Sequence, residues 1–159
     1  MIERMENNLN NQERKEKIIE AVMIFIFDDD KNLLLLKRID NGQWEPVKGG
    51  INLGEVWGDA ALRELKEETG LDPVSSPELL GVVNDELDTA KAKKTKIRGH
   101  VSYCFVSGIS PKVDLNSDEE LEHSDYKWIN LADVEGAPIY PQIAKDLLLK
   151  IVKDFDDKK

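Results

Sequence analysis

Between residues 49 and 71 the chain reads Gly49-x5-Glu55-x7-Arg63-Glu64-Leu65-x-Glu67-Glu68-x-Gly70-Leu71, a run that concentrates carboxylates around one arginine and a few glycines. The segment from Trp57 to Thr69 has no proline and is rich in alanine, leucine and glutamate. It meets Gly70 where a left-handed stop belongs, which predicts a single helix. At about 100° per residue, Glu64, Glu67 and Glu68 share an arc of roughly 100°, and Ala61, Leu62 and Leu65 form the neighbouring apolar stripe. Like charges at i, i+3 and i+4 weaken an isolated helix, so the arrangement makes physical sense once cations neutralise it. Magnesium suits the donors: it is a hard ion that takes a few carboxylates together with substrate phosphate and water. Alone, Glu-x-x-Glu-Glu reads better as a solvated acidic face, and its surroundings reverse that reading.

Directly upstream lies Trp44-Glu45-Pro46-Val47-Lys48-Gly49-Gly50-Ile51-Asn52-Leu53-Gly54-Glu55, a glycine-rich loop feeding the acidic helix. Loop and helix together resemble the Nudix box, with no required position missing. The resemblance implies an α/β fold, a small α/β/α sandwich with a mixed β-sheet. Its loop-helix-loop would hold divalent metal, magnesium with manganese as a substitute, for hydrolysis of a nucleoside diphosphate linked to another group. It also implies roles: Glu64, Glu67 and Glu68 become metal ligands or base candidates, Arg63 orients them, and Gly49 lets its backbone approach the metal. Arg63 also lies at i, i+4 from Glu67, where an ion pair forms easily. In many Nudix proteins a glutamate in the loop before a late tryptophan-containing strand adds a metal contact or the base. Glu122, six residues before Trp128, resembles that position, and Glu119, Glu120 and Asp125 compete for it. His123 reads as a partly exposed loop histidine and His100 as a structural strand residue.

The chemistry expected is displacement at phosphorus, with Glu67 or Glu122 accepting the proton of the attacking water. A carboxylate beside a metal is normally depressed in pKa, so the choice between them stays open at this level. The segment from Lys48 to Glu55 is similar to the loop of bacterial RNA pyrophosphohydrolases and dinucleoside polyphosphate hydrolases, whereas MutT-type enzymes usually carry Pro-Gly-Gly there. Lys48, Gly49 and Gly50 are therefore the substrate-binding candidates, with Lys48 either contacting an extra phosphate or standing in solvent. Small dinucleoside polyphosphates or nucleoside triphosphates are the first expectation and sugar-linked nucleotides such as ADP-ribose the next. An RNA 5′-pyrophosphohydrolase and a non-catalytic nucleotide-binding module are the rivals. Trp44, Tyr103 and Tyr140 are aromatic groups able to stack a base and equally able to sit in a core.

These residues need a scaffold. Residues 1–17 are polar and charged and read as an N-terminal extension, leaving residues 18–159 for the hydrolase domain. Ile18 to Phe27 and Leu33 to Ile39, separated by Asp28-Asp-Asp-Lys-Asn32, read as a β-hairpin. Leu79 to Val83, Gly99 to Val106 and Tyr126 to Ile129 read as strands, Ala90 to Arg98 as a long loop or an exposed strand connection, and Tyr140 to Phe155 as a packing helix. With 159 residues and 40% hydrophobic content the chain suits one domain with a real core. It has neither an apolar run of spanning length nor a basic-then-apolar amino terminus, so a cytoplasmic location without a membrane partner is expected. The single cysteine, Cys104, cannot form an intrachain disulfide and reads as a core residue. A net charge of −10 repels nucleic-acid backbones, which favours a small nucleotide over a macromolecular one. Dimers are common in families that resemble this one, and a homodimer is left open.

Overall fold

The computed structural model describes residues 17–88, 94–117 and 121–157. Apart from Lys17, the expected N-terminal extension lies outside these residues.

Strand β1, Lys17–Phe27, is the spine of the sheet. Along one edge it runs parallel to β6, Lys94–Phe105, over its whole length, from Lys17 opposite Thr95 to Phe27 opposite Phe105. The expected hairpin with β2, Leu33–Arg38, exists only at its corner, where Phe27 faces Leu33. Beyond that corner the strands diverge, and the freed edge of β1 is taken by β4, Val47–Gly50, with Ala21 opposite Gly50 and Ile24 opposite Val47. The first half of the glycine-rich segment expected as a loop is therefore strand, since β3, Trp44–Glu45, also pairs with β2. On its other edge β2 pairs with β7, His123–Ile129. Strand β5, Glu78–Asp88, closes the far side antiparallel to β6. Residues 94–98, expected as a connection, belong instead to β6. Lysine or arginine alternates there with β-branched residues, a pattern that suits a strand. Residues 89–93 lie outside the described part.

Seven strands thus form one mixed sheet, with the path β3-β2-β1-β6-β5, β4 on β1 and β7 on β2. Because both faces are covered, the central strands read as continuous apolar runs, and successive residues point to opposite faces. Ile24, Ile26, Leu34 and Leu36 pack with Ala61 and Leu65 of helix α1, Trp57–Thr69. Phe25, Phe27, Leu33 and Leu35 pack with Ala144, Leu148 and Ile151 of helix α2, Gln142–Asp157. The expected α/β/α sandwich is the fold. Helix α1 ends as the sequence predicts: Gly70 has φ 71°, and its N–H donates to the carbonyl of Lys66 at 2.9 Å. Cys104 is buried in the α1-side core, and burial pushes its thiol up to about 12.

Candidate active site

Helix α1 lies over β4, and the acidic arc is sorted by depth. Glu64 and Glu68 are buried, while the Glu67 side chain keeps 45% of its exposure. The close approach of helix and strand depends on Gly49. A Cβ there would stand 2.1 Å from the Glu64 carboxyl carbon, so only glycine leaves that carboxylate its place. What Gly49 approaches closely is thus the Glu64 carboxylate.

Arg63 ties the box together. Its Nε and Nη2 donate to the two oxygens of Glu55 at 3.0 and 2.9 Å, Nη1 donates to Glu64 at 2.8 Å and to Glu67 at 3.3 Å, and Nη2 also reaches the Gly50 carbonyl at 2.7 Å. The planar guanidinium is suited to such a fork, and a lysine could not reproduce it. The hydrogen bonds from Arg63 hold the Glu55 carboxyl below its ordinary range. Glu64 shifts the other way. Burial raises its pKa, Arg63 opposes, and the charges of Glu67 and Glu122 add to the rise. Glu68 is raised well above the ordinary value by burial first, then by the charges of Glu64, Glu122 and Glu45, against one backbone N–H from Lys48. Its Oε2 is buried with no hydrogen-bond partner among the described residues.

The start of β7 brings in the second group. One ligand-capable atom each from Glu68, Glu122 and His123 lies within 4.8 Å of the others. Glu122 is exposed and immediately precedes β7, as expected of a residue before the late strand. Asp125 lies further along that strand, facing Lys37 of β2, and its carboxylate accepts from the N–H of its own neighbour, Tyr126, at 2.8 Å. Glu119 and Glu120 lie outside the described residues. His123, expected to be a partly exposed loop residue, is instead a buried strand residue whose Nε2 lies 3.0 Å from Glu45 Oε1. His100 is a residue of β6, as expected.

Glu45 was not singled out by type and spacing, yet it is the most buried charge near the site, at 1% exposure. It faces Lys48 at 2.9 Å and Arg38 at 3.4 Å besides His123. Burial pushes its pKa up, but the hydrogen bond with His123 and the two cations outweigh burial and hold it below the ordinary range. A lone glutamate set between Trp44 and Pro46-Val47 was the available signal. Lys48 is thereby neither free in solvent nor aimed only outward: Glu45 holds its amine, which also sits 5.9 Å from the Tyr140 ring centroid.

Lys48, Gly49 and Glu122 line a cleft of about 570 Å³ together with Arg38, Asp40 and a mostly apolar remainder that includes Met23, Ile97 and Ile143. Of the three aromatic candidates, Tyr140 lines this cleft. Trp44 is covered by the Lys127 amine at 4.2 Å, and Tyr103 packs among Phe27, Phe105 and Phe155 on the α2 face. Gly50 is exposed beside the site, with its carbonyl engaged by Arg63.

A hard divalent cation fits this donor set. The facing atoms are carboxylate oxygens, one of them buried without a partner among the described residues, and burial first, then the charges of neighbouring carboxylates, raise the pKa values of Glu64 and Glu68.

The NUDIX domain family profile matches residues 17–148. An RNA pyrophosphohydrolase of Pelagibacter ubique (strain HTCC1062) is 30% identical over 147 residues, covering 87% of this chain and 89% of that protein. A dihydroneopterin triphosphate diphosphatase of Escherichia coli K12 is 26% identical over 125 residues, covering 73% and 79%. Among solved structures, a MutT protein from Methanosarcina mazei Go1 superposes with a TM-score of 0.66 at 28% identity, covering 91% of this chain and 99% of that one.

Proposed function

The chain belongs to the NUDIX family and is a hydrolase of pyrophosphate bonds, and from that premise we propose that its substrate is a small nucleotide, a dinucleoside polyphosphate or a nucleoside triphosphate, with magnesium as the working cation. The observation that carries this reading is the buried, unpartnered Glu68 oxygen beside Glu64 and Glu122, at the edge of a cleft whose wall carries Lys48 and Tyr140.

Glu64, Glu67 and Glu68 are assigned to hold the cation, which when bound supplies positive charge against phosphate oxygens and acidifies water. Arg63 fixes the rotamers of Glu64 and Glu67, so that little reorganisation remains when substrate arrives. Gly49 keeps the Glu64 carboxylate in place, and Gly50 anchors Arg63. Lys48, held by Glu45, presents its amine to a phosphate in the cleft. Tyr140 offers an aromatic face to a heterocyclic base and the apolar wall desolvates it. Glu122 is the first assignment for the group that takes the water proton: it stands on the cleft wall facing Glu68, whereas Glu67 is committed to Arg63.

The second reading is hydrolysis at a triphosphorylated RNA 5′ end, favoured by the Pelagibacter relative that carries such a name. The net charge of −10 favours the small nucleotide. The deciding experiment compares kcat/KM for a dinucleoside polyphosphate, nucleoside triphosphates, ADP-ribose and triphosphorylated RNA with magnesium. The small polyphosphates should lead, and excess chelator should abolish their turnover. An RNA substrate in the lead would transfer the assignment to the second reading.

A further inference from the structure

The backbone around Glu122 is irregular. Strand β7 pairs with β2 in regular register from Ile129 opposite Leu33 to Asp125 opposite Lys37, but the next partner of β2, Arg38, faces His123 rather than Ser124. Ser124 is thus the extra residue of a β-bulge, the kind of irregularity that re-aims the side chains beyond it. Beyond it, the Ile39 N–H donates to the carbonyl of Glu122 at 3.0 Å. A bulge weakens local pairing, so something besides the ladder must fix where β7 begins.

Glu45 meets that need from the opposite edge of β2. It faces Leu36 in the β3 pairing, on the α1 side of the sheet, and its carboxylate reaches His123 across β2. Both side chains are buried, at 1% and 4% exposure. Since the carboxylate accepts only, His123 Nε2 carries the hydrogen. Lys48 and Arg38 hold the same carboxylate from other directions, so its position is over-determined.

We propose that the Glu45–His123 pair is a buried strut that pins the bulged start of β7 and so holds the Glu122 carboxylate against Glu68, making both members positioning residues for the hydrolysis. The strut rests on the assignment of Glu122 given above. Neither residue touches the reacting atoms in this role. Their contribution reaches the reaction through Glu122.

His123→Phe keeps the ring volume and removes the donor, and His123→Gln keeps a donor near the Nε2 position. Glu45→Gln removes the charge with little change of shape, and thermal melting identifies any variant that fails to fold. Two measurements test the strut. Amide hydrogen exchange should show the Ile39 N–H losing protection about tenfold or more in His123→Phe, with Leu65 in α1 unchanged and His123→Gln near wild type. In turnover, His123→Phe should lower kcat about tenfold with KM within about twofold, and His123→Gln should recover most of it. In a Glu122→Gln background, His123→Phe should add less than about a twofold further loss, because residues acting as a unit are not additive. Unchanged Ile39 protection in a folded His123→Phe overturns the strut, as does a multiplicative loss in the double variant or lost protection with normal kcat. Normal kcat in Glu122→Gln instead removes the assignment of Glu122 and the strut's catalytic role together. If no substrate is turned over, the proposed function fails, while the exchange experiment still decides the strut.

Discussion

Glu68 shows how the site trades stability for chemistry. Burial and the neighbouring charges of Glu64, Glu122 and Glu45 raise its pKa well above the ordinary carboxylate value. A raised pKa in the folded protein means that the folded state holds this proton more tightly than the unfolded chain. The stabilising contribution is full below the ordinary pKa and is lost as pH rises through the raised one, so without metal the ionised group destabilises the fold at neutral pH. Glu45 and Glu55, whose pKa values are lowered, act in the opposite sense and lose their contribution on acidification. The difference between wild type and Glu68→Gln isolates the one group. In chelator at neutral pH, Glu68→Gln should melt higher, each ~1 kcal/mol being worth about 2–4 °C at this chain length, and the gain should shrink as pH falls toward the ordinary carboxylate value. The same variant should lose turnover about a hundredfold or more with magnesium. A Glu68→Gln variant that melts lower in chelator and turns over normally would remove Glu68 from the site. Arg63→Lys provides the companion measurement. It keeps the charge and loses the fork to Glu55, Glu64, Glu67 and the Gly50 carbonyl, so kcat should fall about tenfold or more while KM changes less.

At the scale of elements, the contact between β4 and α1 makes Gly49→Ala the informative change. The new methyl would collide first with the end of the Glu64 side chain, a flexible group that can swing away, at 2.1 to 2.5 Å. The fold should survive within about 1 kcal/mol while turnover falls strongly, because the displaced group is a carboxylate of the site. A large loss of melting temperature without loss of specific activity in the remaining folded protein would contradict this reading. Helix α1 was legible in the sequence because its cues are local: helix formers without proline, an apolar stripe and Gly70 at the stop. The box residues were legible for the same reason, being fixed by spacing within one loop and helix. What escaped depends on partners distant in the chain. The Ile18–Ile39 hairpin was read from adjacency, but β1 prefers β4 and β6 once past its corner, and periodicity carries no record of which strand sits alongside. The depth of Glu45 and His123 follows from two strands meeting across β2, separated by 78 residues in sequence.

The whole molecule carries a net charge of −10, while the substrate proposed for it is a polyphosphate. Repulsion of that size acts over a Debye length, which contracts from roughly 30 Å at 0.01 M salt to roughly 8 Å at 0.15 M. In the proposed reading a small nucleotide would place its charge next to magnesium and Lys48, inside the cleft, where local charge would outweigh the distant field. An RNA chain instead extends many phosphates over the acidic exterior, and a surface of that sign gives no release of condensed counterions to drive binding. The two substrate classes should therefore respond differently to salt. For a nucleoside triphosphate or dinucleoside polyphosphate, KM should change by less than about threefold across that range at constant magnesium. For triphosphorylated RNA, KM should fall as salt screens the repulsion, and kcat/KM at low salt should lie about tenfold or more below that of the small substrate. A KM for RNA that climbs steeply with salt would reveal a phosphate-gripping surface, and the RNA 5′-end reading would then displace the small-nucleotide one.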